Sequence, residues 1–293
     1  MQEPALDGTL STRTTGQRTF FEMNIHARPF IKWAGSKRKL LRHIAPFVPE
    51  KFNTYYEPFF GSGALFFAIN PNSARLGDAC NDLVETYNSC AQHPNEILSE
   101  LKRHKVNRDY YYSIRSNRSI DPIKRASEFL YLNKTCWNGL YRVNLSGNFN
   151  VPYGQPKSST LIDEENFLKA TRALGKARVS LKKQDFALTC STAGEGDFVF
   201  LDPPYVTTHN NNGFLEWNEE IFSWEDQERL AKLAAKLADK GAHVVVTNAA
   251  HEAVIDLYRR FDLKYFERSS TLASKINARG RVSEAIFHAG TRT

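Results

Sequence analysis

Two rhythms of apolar residues divide the chain. Short runs with no polar face stand at Phe198-Val199-Phe200-Leu201 and at 243–247. Similar but less pure runs occupy 54–57, 74–78, 178–185, 263–266 and 283–287. Runs this short, rich in β-branched and aromatic residues and bounded by Pro, Gly or Asp, predict strands. Strands apolar at every position predict a sheet covered on both faces. Between these runs the spacing changes to three and four. Residues 38–44, 64–69 and 253–260 fit helices, and Ser223-x-x-Asp226 opens a further one. That helix carries Leu230, Leu233 and Leu237 on one face and has Gly241 after its end. Strands alternating with helices predict an α/β fold around a mostly parallel sheet.

One long stretch breaks the alternation. Residues 83–170 read as helices followed by a hairpin, with Asp121-Pro122 opening the helix before it. The hairpin is expected from 133 to 152, turning at Ser146-Gly147. The expected organisation is therefore a sheet domain in two pieces, 29–82 and 171–293, with 83–170 inserted. Residues 1–28 lack sustained periodicity and are expected to be a loose tail, anchored at its end by Phe20, Phe21 and Met23.

The candidate chemistry sits at strand ends. Pro203 and Pro204 cannot donate to a sheet ladder, so they stop the 198–201 strand and hold Asp202 and Tyr205 at its carboxyl edge. Ligands of open α/β sheets bind at that edge. Asp202-Pro203-Pro204-Tyr205 suits methyl transfer to an exocyclic amine of a nucleobase. The carboxylate and a proline carbonyl can each accept one amine hydrogen, freeing a lone pair otherwise delocalised into the ring. The tyrosine ring can stack on the base. Further upstream, Glu57-Pro58-Phe59-Phe60-Gly61-Ser62-Gly63 joins a strand to a helix through a glycine turn. It is neither the three-glycine dinucleotide pattern nor a phosphate loop, and fits an adenosyl ligand without phosphates. Asp78 ends the next strand, where an acid can bond ribose hydroxyls, with Asp82 an alternative. Asp185-Phe186 could hold and sandwich an adenine ring. Trp33-Ala34-Gly35-Ser36-Lys37 leads into a helix whose free N–H groups, with Lys37, could receive a carboxylate.

Charge adds a partner. The chain carries +7, yet residues 101–157 alone hold eleven Lys/Arg against three acids, an excess of +8. A basic segment interleaved with Tyr110, Tyr111, Tyr112, Trp137 and Tyr141 points to nucleic acid, whose bases aromatics can stack on or wedge apart. Arg142, on the hairpin, could pair with guanine or clamp a phosphate. Lys275, Arg279 and Arg281 form a second basic group. Composition removes other classes. No apolar run is long enough for a membrane span, and no signal-peptide core is present. Cys80, Cys90, Cys136 and Cys190 form no C-x-x-C pair, which fits a reducing cytosol, and the eight histidines lack metal-ligand spacing.

Taken in order, WAGSK, EPFFGSG, the Asp78 strand end, the WNGLYR hairpin and DPPY resemble the Dam-type DNA adenine-N6 methyltransferases, over roughly residues 29–288. The resemblance implies a class I methyltransferase fold, a Rossmann-like mixed sheet with an inserted DNA-recognition domain. It implies S-adenosylmethionine as methyl donor and duplex DNA as partner, with the target adenine flipped out. It places Trp33, Ala34, Gly35, Lys37, Glu57, Pro58, Phe59, Gly61, Gly63, Asp78, Asp185, Phe186 and Asp202 at the donor site. It places Asp202, Pro203, Pro204 and Tyr205 at the reacting amine. Trp137, Asn138, Leu140, Arg142, Asn144 and Pro152 fall on the DNA-reading hairpin, with GATC or a related site expected. Trp137 stands where tyrosine or phenylalanine is usual, and Ser36 where glycine is usual. A cytoplasmic enzyme of bacterial or phage origin is expected, a monomer on DNA, and the resemblance allows a cognate restriction endonuclease. The rival readings are methylation of cytosine N4 or of RNA, and a silent DNA-binding homologue.

Overall fold

The computed structural model describes residues 26–205, 222–269 and 281–289. After a short helical stretch that includes α1 (Leu41–Ile44), the chain forms β1 (Tyr55–Glu57), α2 (Ala64–Ile69) and β2 (Ala74–Asp78). The insertion follows as α3 (Asn81–Gln92), α4 (Pro94–Arg103), α5 (Arg108–Ser116) and α6 (Pro122–Thr135), then the hairpin and α7 (Glu164–Leu174). The chain returns to the sheet with β3 (Val179–Lys183), α8 (Phe186–Thr189), β4 (Phe198–Leu201), α9 (Trp224–Asp239), β5 (His243–Ala249) and α10 (Glu252–Leu257). It ends with β6 (Asp262–Ser269) and β7 (Arg281–Ala289).

These strands form one seven-stranded sheet in the order β3-β2-β1-β4-β5-β7-β6. The first five run parallel, and β7 is antiparallel to both β5 and β6. The expected α/β architecture is therefore the one observed. The order also explains where the site lies. Sequence order reverses between β1 and β4, and ligands of such sheets bind at the carboxyl ends beside that switch point.

Period-two alternation sends neighbouring strand residues to opposite faces, and both faces are covered. Tyr55, Phe198, Phe200, Val245 and Ile286 join one core. Tyr56, Val199, Leu201, Val244, Val246 and Phe287 join the other, beneath α9 and α10. The first core continues into the insertion through Tyr111, Phe129, Leu130, Tyr131 and Leu132. The helix α6 is buried nearly all round, from Ala126 to Asn133, which suits a helix enclosed by others. Among the described residues no helix is long and apolar enough to cross a membrane.

Three expectations need adjustment. Residues 26–28 are not a loose tail: Ala27 is buried, the N–H groups of His26 and Ala27 donate to the carbonyls of Ala68 and Phe67, and Arg28 pairs with Asp163 at 2.7 Å. The chain docks there because it can supply donors to the unsatisfied carbonyl end of α2. The hairpin holds only isolated bridges, Val143 with Phe149 and Cys136 with Tyr153, not a continuous ladder. Of the five aromatics expected to reach bases, only Trp137 is prominently exposed. Tyr111 is buried and donates to the Val151 carbonyl, and Tyr110 contacts His104. Tyr112 lies under the Arg115 guanidinium, and Tyr141 packs inward. The anchors Phe20, Phe21 and Met23, the loop expected at 206–222 except Phe222, Lys275 and Arg279 lie outside the described residues. Arg281 is described in its backbone alone.

Candidate active site and DNA-recognition surface

At the carboxyl end of β4, Asp202 is held on one oxygen only. The Lys37 ammonium pairs with its Oδ1 at 2.7 Å, and the Thr247 hydroxyl donates to the same atom at 2.6 Å. Its Oδ2 has no hydrogen bond among the described residues. Lys37 is itself 6% exposed and donates to the Gly35 carbonyl at 3.1 Å. Its ammonium also lies 4.5 Å from the centre of the Tyr205 ring, a cation–π contact strengthened by burial. The Tyr205 hydroxyl donates to Glu284 of β7 at 2.9 Å. Lys37 was expected at the donor site for its charge; the structure ties it to the DPPY segment as well.

The glycine turn after β1 closes on the next strand end. Gly61 N–H donates to Asp78 Oδ2 at 2.8 Å, and Cys80 N–H donates to Asp78 Oδ1 at 2.8 Å. Burial raises the Asp78 pKa, partly offset by these two donors. Gly61 has φ +47°, and a Cβ there would stand 2.9 Å from Trp33 Cδ1, so glycine is required twice over. Gly63, at φ +63°, begins α2. The hydroxyls of Ser36 and Ser62 lie 2.7 Å apart and link the Trp33–Lys37 loop to the glycine turn. Glu57 is fully enclosed at the end of β1; desolvation drives its pKa well upward, although Tyr55 donates to it at 2.9 Å. Pro58 is buried and Phe59 half-buried. Phe59 stacks on Phe186 at 5.6 Å between centroids. Asp185 caps α8 through the Ala187 N–H and pairs with Arg229 at 3.2 Å. Asp82 is turned to the insertion: it pairs with Arg125 and accepts from the Tyr141 hydroxyl, each at 3.1 Å.

The insertion is fastened to this site. Asn133, near the end of α6, accepts from the Lys32 N–H at 2.9 Å and donates to the Lys32 carbonyl at 2.8 Å. Tyr141 stacks on Trp33, with centroids 5.3 Å apart and planes 28° apart. Beyond these ties the hairpin presents polar and apolar tips to solvent. Trp137 is 52% exposed, and Asn138 is exposed at φ +54°. Leu140 is half-buried and Pro152 exposed. Asn144 accepts from the N–H groups of Ser146 and Asn148, which builds the turn with Gly147 at φ +75°. Arg142 is exposed and donates through Nε to Asn150 Oδ1 at 2.7 Å. A cleft of about 790 Å³ runs beside the hairpin, lined among others by Arg115, Arg118, Arg125, Asn144 and Asn150.

A sheet-edge DPPY segment joined to a glycine turn and to a basic hairpin matches one family. Its model, described as D12 class N6 adenine-specific DNA methyltransferase, covers residues 33–272. The chain belongs to this family. Three relatives match over nearly their whole length. A type II methyltransferase, M1.LlaDCHI of Lactococcus lactis subsp. cremoris, is 34% identical over 89% of this chain and 95% of its own. The type II methyltransferase M.MjaIII of Methanocaldococcus jannaschii is 31% identical over 82% and 91%. The DNA adenine methylase of Escherichia coli K12 is 30% identical over 88% and 94%. The chain is thus an N6-adenine DNA methyltransferase, with DNA as its substrate.

Several residues of this methyltransferase site escape sequence reasoning. Thr247 and Glu284 each contact a DPPY residue from a distant segment. Gln227 reaches the DPPY segment from α9. The available signal was a polar residue where an apolar one is expected. Gln227 stands on the buried face of α9, and Glu284 in a strand whose next residues are Ala285, Ile286 and Phe287.

Proposed function

We propose that this methyltransferase takes its methyl group from S-adenosylmethionine and acts on adenine flipped out of duplex DNA, at GATC or a related sequence. The observation that carries the reading is the one-sided anchoring of Asp202. With Lys37 and Thr247 both on Oδ1, the other oxygen is left to accept a hydrogen bond.

The residues around the glycine turn fit an adenosyl donor. Gly61 supplies a backbone surface that a Cβ would close, and the partly shielded Asp78 carboxylate stands beside it for ribose hydroxyls. Trp33 gives the same turn an apolar wall. Phe59 and Phe186, with Asp185, are the proposed adenine side, and Trp33, Ala34, Gly35, Lys37, Glu57, Pro58 and Gly63 complete the surroundings. When bound, S-adenosylmethionine supplies an electrophilic methyl on a positively charged sulfur.

On the substrate side, Asp202 Oδ2 and the Pro203 carbonyl accept the two N6 hydrogens. This directs the nitrogen lone pair out of the ring. As the nitrogen gains positive charge, Asp202 stabilises it, and the departing proton leaves along that hydrogen bond. Lys37 lies against the Tyr205 ring, which is placed to stack on the base. Extrusion of the adenine is required because its amine is unreachable within a stacked pair, and exposed Trp137 is suited to filling the stack it leaves. Arg142 engages Asn150 through Nε, which orients its two terminal nitrogens as a fork for guanine O6 and N7. Asn138, Leu140, Asn144 and Pro152 complete this reading surface. We also propose that the enzyme acts as a monomer on DNA.

Transfer of tritium from methyl-labelled donor to duplex DNA, followed by mapping of the methylated adenines, tests the proposal. Label on adenines outside GATC-related sites would overturn the specificity; no label would overturn the donor.

A further inference from the structure

A proline pair leaves the DPPY segment with few handles. Pro203 and Pro204 have no N–H, so their carbonyls are the backbone groups by which the protein can orient them. The Pro204 carbonyl is held by Gln227, whose Nε2 donates to it at 3.2 Å. Gln227 Oε1 accepts from Asn248 Nδ2 at 3.1 Å. Asn248 Oδ1 accepts from the Ala249 N–H at 2.8 Å. Gln227 and Asn248 are both 0% exposed.

This chain of bonds has one possible direction. The Ala249 N–H can only donate, so it selects the oxygen of the Asn248 amide. Asn248 must then present its NH2 to Gln227, and Gln227 must present its own NH2 to Pro204. The last atom in the chain is a carbonyl, which can only accept. Reversing either amide would set two donors or two acceptors face to face on side chains that are themselves fully enclosed, at the cost of an unmade buried bond.

We propose that Gln227 and Asn248 are positioning residues for methyl transfer: the directed amide chain from β5 fixes the Pro204 carbonyl, and with it the direction in which Pro203 and Tyr205 meet the base. The proposal rests on the assignment of DPPY to the reacting amine.

The substitution Gln227→Glu keeps the shape and the acceptor for Asn248 but removes the donor to Pro204. Protonation of the new carboxyl restores an O–H donor. Methyl transfer at saturating donor and DNA is measured in the wild type, Q227E and Q227L between pH 5.5 and 9, a range set only by the assay. Lys37, Asp202, Tyr205 and Glu284, the ionisable groups at the segment, are common to all three, so the wild-type profile accounts for them. The expected result is a kcat for Q227E lowered about tenfold or more at alkaline pH, the equivalent of one lost hydrogen bond to a buried acceptor. It should recover as pH falls, while Q227L stays low throughout and KM for DNA changes little. A Q227E profile parallel to that of the wild type, or a loss matching Q227L at every pH, would overturn the proposal. If Q227E does not fold, Asn248→Asp carries the same test: it keeps the acceptor for the Ala249 N–H but removes the donor to Gln227, whose amide then turns its NH2 away from Pro204; kcat should fall without weaker DNA binding, and unchanged kcat would overturn the idea. Absence of transfer by the wild type would instead refute the underlying assignment, so the two failures are distinguishable.

Discussion

Asp202 makes no use of its charge for holding DNA in the proposed mechanism; its partners are Lys37 and Thr247. Asp202→Ala should therefore abolish methyl transfer while DNA affinity, dominated by phosphate contacts, stays near that of the wild type. Gel-shift titration beside the labelled-methyl assay checks this, and near-normal turnover would remove the segment from the chemistry. Arg142→Ala separates two roles. As a guanine reader, its loss costs about 1–3 kcal/mol of discrimination at one base position; as a phosphate clamp, it weakens all sequences alike. We expect the former, measured on duplexes altered one position at a time. At this scale the motif residues were legible because each motif is local. The residues that orient them were not: Gln227 is 23 positions from Pro204, Thr247 is 45 from Asp202, and Glu284 is 79 from Tyr205. Nothing in a single sequence pairs such positions. Asp185 and Phe186 show the converse. Their place at a strand end was readable, but not that Asp185 would cap α8 and pair with Arg229.

Elements followed the apolar pattern closely where burial decides them. The strand β4 matches its apolar run residue for residue, and β3 falls within the span expected for it. Departures occur where short-range bonds decide. The region expected as one helix at 38–44 is split between a tight helical turn and α1, and the hairpin is held by turn bonds at Asn144 more than by a ladder. Strand β1 carries a titration signature. All three of its residues are buried, between β2 and β4, and Glu57 is enclosed with its pKa raised chiefly by desolvation. A carboxyl whose folded pKa is raised favours the folded state fully below its ordinary value of 4.5. It loses that contribution as pH rises through the folded value. Glu57→Gln removes the charge and keeps an acceptor for Tyr55. The melting temperature of the variant relative to the wild type should therefore climb as pH rises from about 4.5; a difference constant with pH would mean that Glu57 does not titrate in this way.

For the whole molecule, the basic excess of 101–157 needs discounting before it is read as a footprint. Lys102, Arg103, Arg118 and Arg125 are paired with Glu164, Glu100, Glu128 and Asp82. Seven of the eleven cations there lack a carboxylate partner among the described residues. DNA binding should still weaken steeply with salt, with a log–log slope of about −0.9 for each phosphate neutralised. A slope near zero would turn this surface away from DNA. The insertion that bears the charge is a separate stretch of sequence but not a separate body. Phe129, Leu130 and Tyr131 share one core with Tyr55 and Phe198 of the sheet. That continuity constrains how such an enzyme can change its taste in sequence. A segment transplanted from another protein in place of the insertion would have to rebuild the core that the insertion shares with the sheet. With the hairpin reading DNA as proposed, new specificities are most cheaply reached by exchanging the few side chains that stand clear of the shared core, Trp137, Asn138 and Arg142 foremost.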